Sequence, residues 1–190
     1  MQEFVACRDQ VPAGQFHLVR RVVESDLGAS LESVFATFER EPIAAASIAQ
    51  VHGATLHDGT PVVVKVQRPT VDDLVHKDLK VMAWLSPFLV GRIPVASLAN
   101  PPALVEVFAR TISEELDFRV EAANMIDVAA VFADLDQRQF VVPRPHPELV
   151  TRRVLVMERL DGFRFDDMER YEEHGVDTHA IVRASMIGFM

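Results

Sequence analysis

The sequence predicts an α+β fold, with a small antiparallel sheet packed against helices, one of them long. Three observations predict it. Asp58-Gly59, a tight-hairpin signal, separates two strand-like runs, Ile48–Leu56 and Val62–Gln67. A helical apolar period occupies Gln15–Phe38 and returns from about Ala103 to Leu135. Two further strand patterns, Phe140–Pro143 and Arg153–Glu158, follow the long helix. The chain has 190 residues, 49% hydrophobic and 25% charged, enough for one domain with a real core.

The elements follow in order. Phe16, Val19, Val22 and Val23 form the apolar stripe of a first helix, which breaks at Gly28. Ser30 is placed to cap a second, short helix carrying Leu31, Val34 and Phe35, and Pro42 ends that region. The hairpin strands come next, and Pro69 stops the second. Val71–Leu85 is a helix, with Leu74, Leu79, Val81, Met82 and Leu85 among charged residues. Pro101-Pro102 breaks the pattern before the long helix, whose apolar positions include Leu104, Val107, Phe108, Ile112, Leu116, Val120 and Ala123. Leu160-Asp161-Gly162 is a turn, and a last helical pattern starts near Thr178. The final "ASMIGFM" carries no capping glycine or terminal charge, so the expectation is a chain that stops inside a helix of an incomplete domain.

The bulk numbers exclude several classes. A net charge of -9 argues against a nucleic-acid partner held through phosphates. The single cysteine, Cys7, forms no internal disulfide and supports no Cys/His zinc site, which suits a reducing compartment. The first residues lack the basic and apolar regions of a signal peptide. The apolar stretch Val81–Ala99 approaches spanning length, but Pro87, Arg92 and Pro94 interrupt it, and packing against protein is the better reading. His52, His57, His174 and His179 show no metal-ligand spacing and read as surface or turn residues.

One residue stands out chemically. Lys65 lies in "VVVKV", where an ammonium is costly unless it reaches water or meets an acid. At a sheet edge it would snorkel to solvent. In a cleft it would need a carboxylate, and "SEELDFRVEAAN" supplies Glu115, Asp117 and Glu121, the last two sharing a helix face. Those acids alone read better as a solvated face capped by Arg119. The order of parts is harder to obtain by accident. A small-residue loop (Ala44, Ala45, Ala46, Ser47), a hairpin, a lysine strand, an acid-bearing helix and two strands ending at Met157-Glu158 reproduce the layout of a protein-kinase N-terminal lobe.

At these residues the sequence resembles the AarF/UbiB/ABC (ADCK-type) atypical kinase-like family. "PIAAASIAQVH" resembles its alanine-rich nucleotide loop, "VVVKVQRP" its lysine strand, "EELDFRVEAAN" its Glu-x-Asp motif (Glu115, Asp117) followed by the helix glutamate Glu121, and "VLVMERLDG" its hinge. The resemblance implies a kinase-like N-lobe with a long αC-type helix and family-specific helices, cut before the catalytic loop. It implies binding of ATP or ADP, with Lys65 and Glu121 as catalytic residues and Ala44–Ser47, Lys65, Met157 and Glu158 as nucleotide contacts. Mg²⁺ would be held only with C-terminal parts that do not follow here, and no metal ligand is expected within the chain. It also implies ATPase-like chemistry linked to isoprenoid-quinone lipid metabolism, with possible membrane or lipid association of a longer protein and a cytoplasmic, peripheral location.

Small side chains let backbone N–H groups approach phosphate oxygens closely, and alanine, unlike glycine, disfavours positive φ, so the loop should be stiff. Ser47 could add a hydroxyl donor. Two departures from the family pattern appear. "PAGQ" at Pro12–Gln15 contains Gly-Gln without the family's preceding lysine, and "LDGFRFDD" is no metal-binding Asp-Phe-Gly. The expected division is a helical N-terminal extension over 1–40, the lobe over 41–160, and a hinge exit with a first helix of a second lobe over 161–190. A non-catalytic interaction module built on an incomplete lobe is the alternative. The oligomeric state is not legible.

Overall fold

The computed structural model describes residues 15–90, 100–162 and 168–188. Cys7, Pro12, Arg92 and Pro94, and the Phe163 end of the "LDGF" stretch, lie outside them. Helix α1 spans Phe16–Leu27 and closes at Gly28, which takes φ 66° and donates its N–H to the Glu24 carbonyl. Ser30 occupies the N-cap position of the short α2 (Leu31–Val34), but its side chain caps nothing. Instead the Glu24 carboxylate accepts the Leu31 N–H at 3.0 Å.

Phe35 does not continue that helix. It opens strand β1 (Phe35–Phe38), which pairs with β3 (Ala49–Leu56). Two aromatic residues flanking Ala36-Thr37 prefer a pleated, half-buried surface to another helical turn, and tertiary pairing decides. Ala44-Ala45 form a two-residue strand, β2, on β3. Strand β4 (Pro61–Gln67) returns from the Asp58-Gly59 turn, where Gly59 takes φ 88° and Asp58 accepts the Thr60 N–H. Helix α3 (Val71–Leu89) runs four residues further than the pattern suggests. Pro87 lies inside it, and the buried Ser86 hydroxyl donates to the Ala83 carbonyl, the acceptor that a proline at position 87 cannot serve.

The expected long helix is two helices, α4 (Pro101–Glu115) and α5 (Phe118–Asp134). The apolar period runs unbroken across the junction, so periodicity could not reveal it. Local capping does: Asp117 is extended, and its carboxylate accepts the Arg119 N–H as the N-cap of α5. The expected strand Phe140–Pro143 is irregular, and β5 forms at Pro145–Val150 instead. Its prolines are tolerated because β5 is an edge strand, pairing with β6 (Val154–Glu158) alone among the described residues. Helices α6 (Met168–Glu173) and α7 (Thr178–Gly188) follow.

The sheet is antiparallel, in the order β1-β3-β4-β6-β5 with β2 on β3. Alternation sorts β4 and β6 between two cores. Val62, Val64, Val66, Val154 and Val156 pack with Val19, Val22 and Val23 of α1, and with Leu31 and Phe35. The opposite face places Leu155 and Ala49 against Phe118 and Ala122 of α5, with Met157 at the margin. Lys65 has the parity of this second face. Among the described residues, no helix is long and apolar enough to cross a membrane.

Candidate functional site

Lys65 stands at the centre of a row. Ala44 pairs with Val51, Val51 with Lys65, and Lys65 with Leu155, so four strands present one line of side chains to the α5 face. Val62 and Val64, fully buried on the other side, fix that orientation. The ammonium reaches Glu121 on α5, donating to Oε1 at 2.8 Å and to Oε2 at 2.6 Å. Beneath it lies the buried Phe118 ring, 4.8 Å from Nζ to the centroid. Side-chain exposures of 24% for Lys65 and 38% for Glu121 leave one side of the pair open to the cleft.

The cleft encloses about 520 Å³ and is lined by Lys65, Glu115, Asp117 and Glu121 together with Glu114 and Asn124, among others. The structure thus brings four of the sequence-predicted residues together. Asp117 is engaged locally: besides capping α5, it accepts from Arg119 at 2.9 and 2.6 Å. The hydrogen bond from the Arg119 side chain holds its carboxyl below the usual carboxylate range. Glu115, at the end of α4, is exposed.

The alanines do not line that cavity. Ala44 lies on the Lys65 side of the sheet, two strands away, and Ala46 turns tightly toward Ala49, donating its N–H to the Ala49 carbonyl at 2.8 Å. Arg68 pins this hairpin, giving its backbone N–H to Ile48 and its Nε to the Ala46 carbonyl. No residue from Ala44 to Ser47 has positive φ, and Ser47 is exposed. Met157 shares the Lys65 face opposite Val63, whereas Glu158 pairs with Val62 at the strand end. Neither borders the cavity.

Two residues at the site are not singled out by the sequence. The unbroken apolar period makes Phe118 one more residue of a single helix. Gln67, buried at the end of β4, donates its Nε2 to the Leu116 carbonyl at 2.7 Å. Its parity with Lys65 was the available signal. His57 is exposed at the hairpin as expected, but His52 is buried, 1% exposed, among Phe16 and Phe38. Its Nδ1 donates to the Glu39 carbonyl at 3.0 Å, which places the proton on Nδ1 and leaves Nε2 without a partner among the described residues. The Glu39 carbonyl and the two aromatic neighbours surround the enclosed imidazole.

An antiparallel sheet with a strand lysine ion-paired to a glutamate on an adjoining helix defines a protein-kinase-like N-terminal lobe. The chain belongs to the ABC1 atypical kinase-like domain family, whose model matches residues 6–189. It is 36% identical over 177 residues to a "Probable protein kinase UbiB" of Shewanella piezotolerans, covering 93% of this chain and 32% of that protein. It is 37% identical over 187 residues to "Uncharacterized protein Rv0647c" of Mycobacterium tuberculosis, covering 96% of this chain and 38% of that one. The solved complex of Rv3197 with erythromycin, also from Mycobacterium tuberculosis, superposes with a TM-score of 0.65 at 29% identity, covering 84% of this chain and 39% of the other. The chain spans about a third of the length of the curated relatives it matches.

Proposed function

We propose that this chain is the nucleotide-binding lobe of a UbiB-like atypical kinase or ATPase, taking ATP or ADP. The Lys65–Glu121 contact carries the reading, because it presents a fixed ammonium to a cleft lined by β4, α4 and α5. Lys65 binds the α- and β-phosphates, and Glu121 holds Lys65 in position. The N–H groups of the Ala44–Ser47 hairpin cover the phosphates, and the backbone around Met157 and Glu158 meets the base as the hinge. Glu115 and Asp117 face the site. The residues fit a phosphate-bearing ligand at Lys65. Glu114 and Glu115 add negative charge beside it, so the nucleotide binds here with a divalent cation whose ligands lie elsewhere. Among the described residues, no cluster of His, Cys, Asp or Glu side chains could hold a metal. The family link to isoprenoid-quinone metabolism, peripheral membrane association and the division at about residues 40 and 160 belong to the same proposal.

Calorimetric titration of the chain with ATP and ADP, each with Mg²⁺, tests it. Lys65→Ala should weaken binding at least tenfold, about 1.4 kcal/mol, through loss of a charged phosphate contact. Equal affinity of wild type and variant would refute the assignment.

A second reading is a non-catalytic interaction module. Trp84, Phe88, Leu104 and Val107 leave large apolar surface exposed on α3 and α4, as interaction faces do. Self-association or partner capture without any thermal response to nucleotide would favour it.

A further inference from the structure

We propose that Gln67 is a positioning residue that latches the first turn of α5 to the sheet and thereby holds Glu121 on Lys65. Gln67 follows Lys65 by two in β4, so both project from the same face. Lys65 reaches the first turn of α5 through Glu121. Gln67 reaches the residue before its cap, donating to the Leu116 carbonyl at 2.7 Å. One strand thus grips the helix start at two points, about 7 Å apart along the strand.

The Gln67 contact is the more secluded of the two. Gln67 is 2% exposed, and Leu116 and Phe118, which flank the cap, are each 1% exposed. The Leu116 carbonyl sits at the α4–α5 break, where the helix leaves acceptors without intrahelical partners, so the amide supplies a bond the backbone cannot. The Phe118 N–H is satisfied from the other side, by the Arg152 carbonyl at 3.0 Å. A sliding or rotation of α5 that parted Glu121 from Lys65 would strain the Gln67–Leu116 bond, which lies where both residues are shut off from solvent. The engaged geometry is therefore built into the fold and does not await a ligand. Its meaning for nucleotide binding rests on the function proposed above, but the contact itself does not.

The three lysines, Lys65, Lys77 and Lys80, allow a direct test. Lys77 and Lys80 are exposed on α3 and serve as internal references. The whole chain is acetylated briefly with acetic anhydride at pH 8, without nucleotide, and each lysine peptide is quantified by mass spectrometry. Lys65 should acylate at least tenfold more slowly than the references, and Glu121→Gln should remove most of that protection. Gln67→Met keeps the volume but removes the donor, and should speed Lys65 labelling severalfold, leaving Lys77 and Lys80 unchanged. Val23→Ala, on the opposite core, controls for general destabilisation and should leave Lys65 protected. If Gln67→Met does not fold, Gln67→Asn, whose amide falls short of the carbonyl, should give the same direction. Lys65 protection equal to wild type in the folded Gln67 variant, or equal loss of protection in Val23→Ala, overturns the proposal. Because no nucleotide is used, failure of the ATP titration leaves this result intact, and the reverse holds.

Discussion

Asp26 offers the sharpest test of the packing between α1 and the sheet. Its carboxylate, 10% exposed near the end of α1, accepts from the Thr151 hydroxyl at 2.8 Å, the Arg153 N–H at 3.2 Å and Arg153 Nε at 2.9 Å, with Arg153 Nη2 also in contact. Asp26→Ala leaves a guanidinium, a hydroxyl and a backbone N–H without that acceptor. Removing one partner of a buried ion pair costs about 3–5 kcal/mol. Arg153 is 38% exposed and can rehydrate, so the expected loss is lower, about 2–3 kcal/mol. For a chain of this size that is a fall in Tm of about 4–12 °C.

The pH dependence follows from the same contacts. Burial pushes the Asp26 carboxyl up, but hydrogen bonds from Arg153 and Thr151 outweigh it and hold the carboxyl below its ordinary value. A carboxyl depressed in the folded state stabilises above its unfolded pKa, near 4, and loses that contribution as pH falls through the folded value. The gap between wild type and variant should therefore be flat from about pH 5 to 8 and narrow below about pH 4. Urea unfolding should be followed by circular dichroism, since the single tryptophan, Trp84, is 67% exposed and a poor reporter of the core. A loss under about 0.5 kcal/mol at pH 7, or a gap that does not narrow between pH 5 and 3, would refute the reasoning.

Two further outcomes are expected. Burial lowers the His52 pKa, with Glu39 and Glu41 pulling the other way, so the unfolded chain binds the proton first and stability should decline as pH falls below about 6.5. His52→Phe should flatten that decline in thermal melts between pH 7 and 5, and an unchanged slope would exclude His52 as its source. Asp117→Ala removes the α5 N-cap and should cost about 1 kcal/mol, measured by urea unfolding, while Asp117→Asn should recover most of it.

The sequence makes some parts of this molecule legible for a physical reason. Lys65 is visible because an ammonium in a run of valines demands a partner, and Glu121 because a following helix supplies an acid at the right stage of the chain. The hairpin is visible because Asp58-Gly59 encodes its turn locally. What stays hidden depends on distant contacts. The break between α4 and α5 keeps the apolar period, and apart from the Asp117 cap it is held by distant groups, with Gln67 of β4 on the Leu116 carbonyl and the Arg152 carbonyl on the Phe118 N–H. The strand Phe35–Phe38 exists because β3 is there to pair with it. Strand β5 carries three prolines at or beside it, which makes sense only once its place at the sheet edge is known. Gln67 hides because a glutamine at a strand end has many uses, and its parity with Lys65 matters only after α5 is in place.

The division of β4 between two cores has a consequence for how this lobe can vary. Its side chains can be exchanged one at a time, within limits of volume. Its length cannot. Inserting or deleting one residue between Pro61 and Lys65 would turn the ammonium into the valine layer against α1 and deliver a valine to Glu121, losing both cores and the cleft in one step. Homologous strands should therefore tolerate many compositions here and almost no change in spacing.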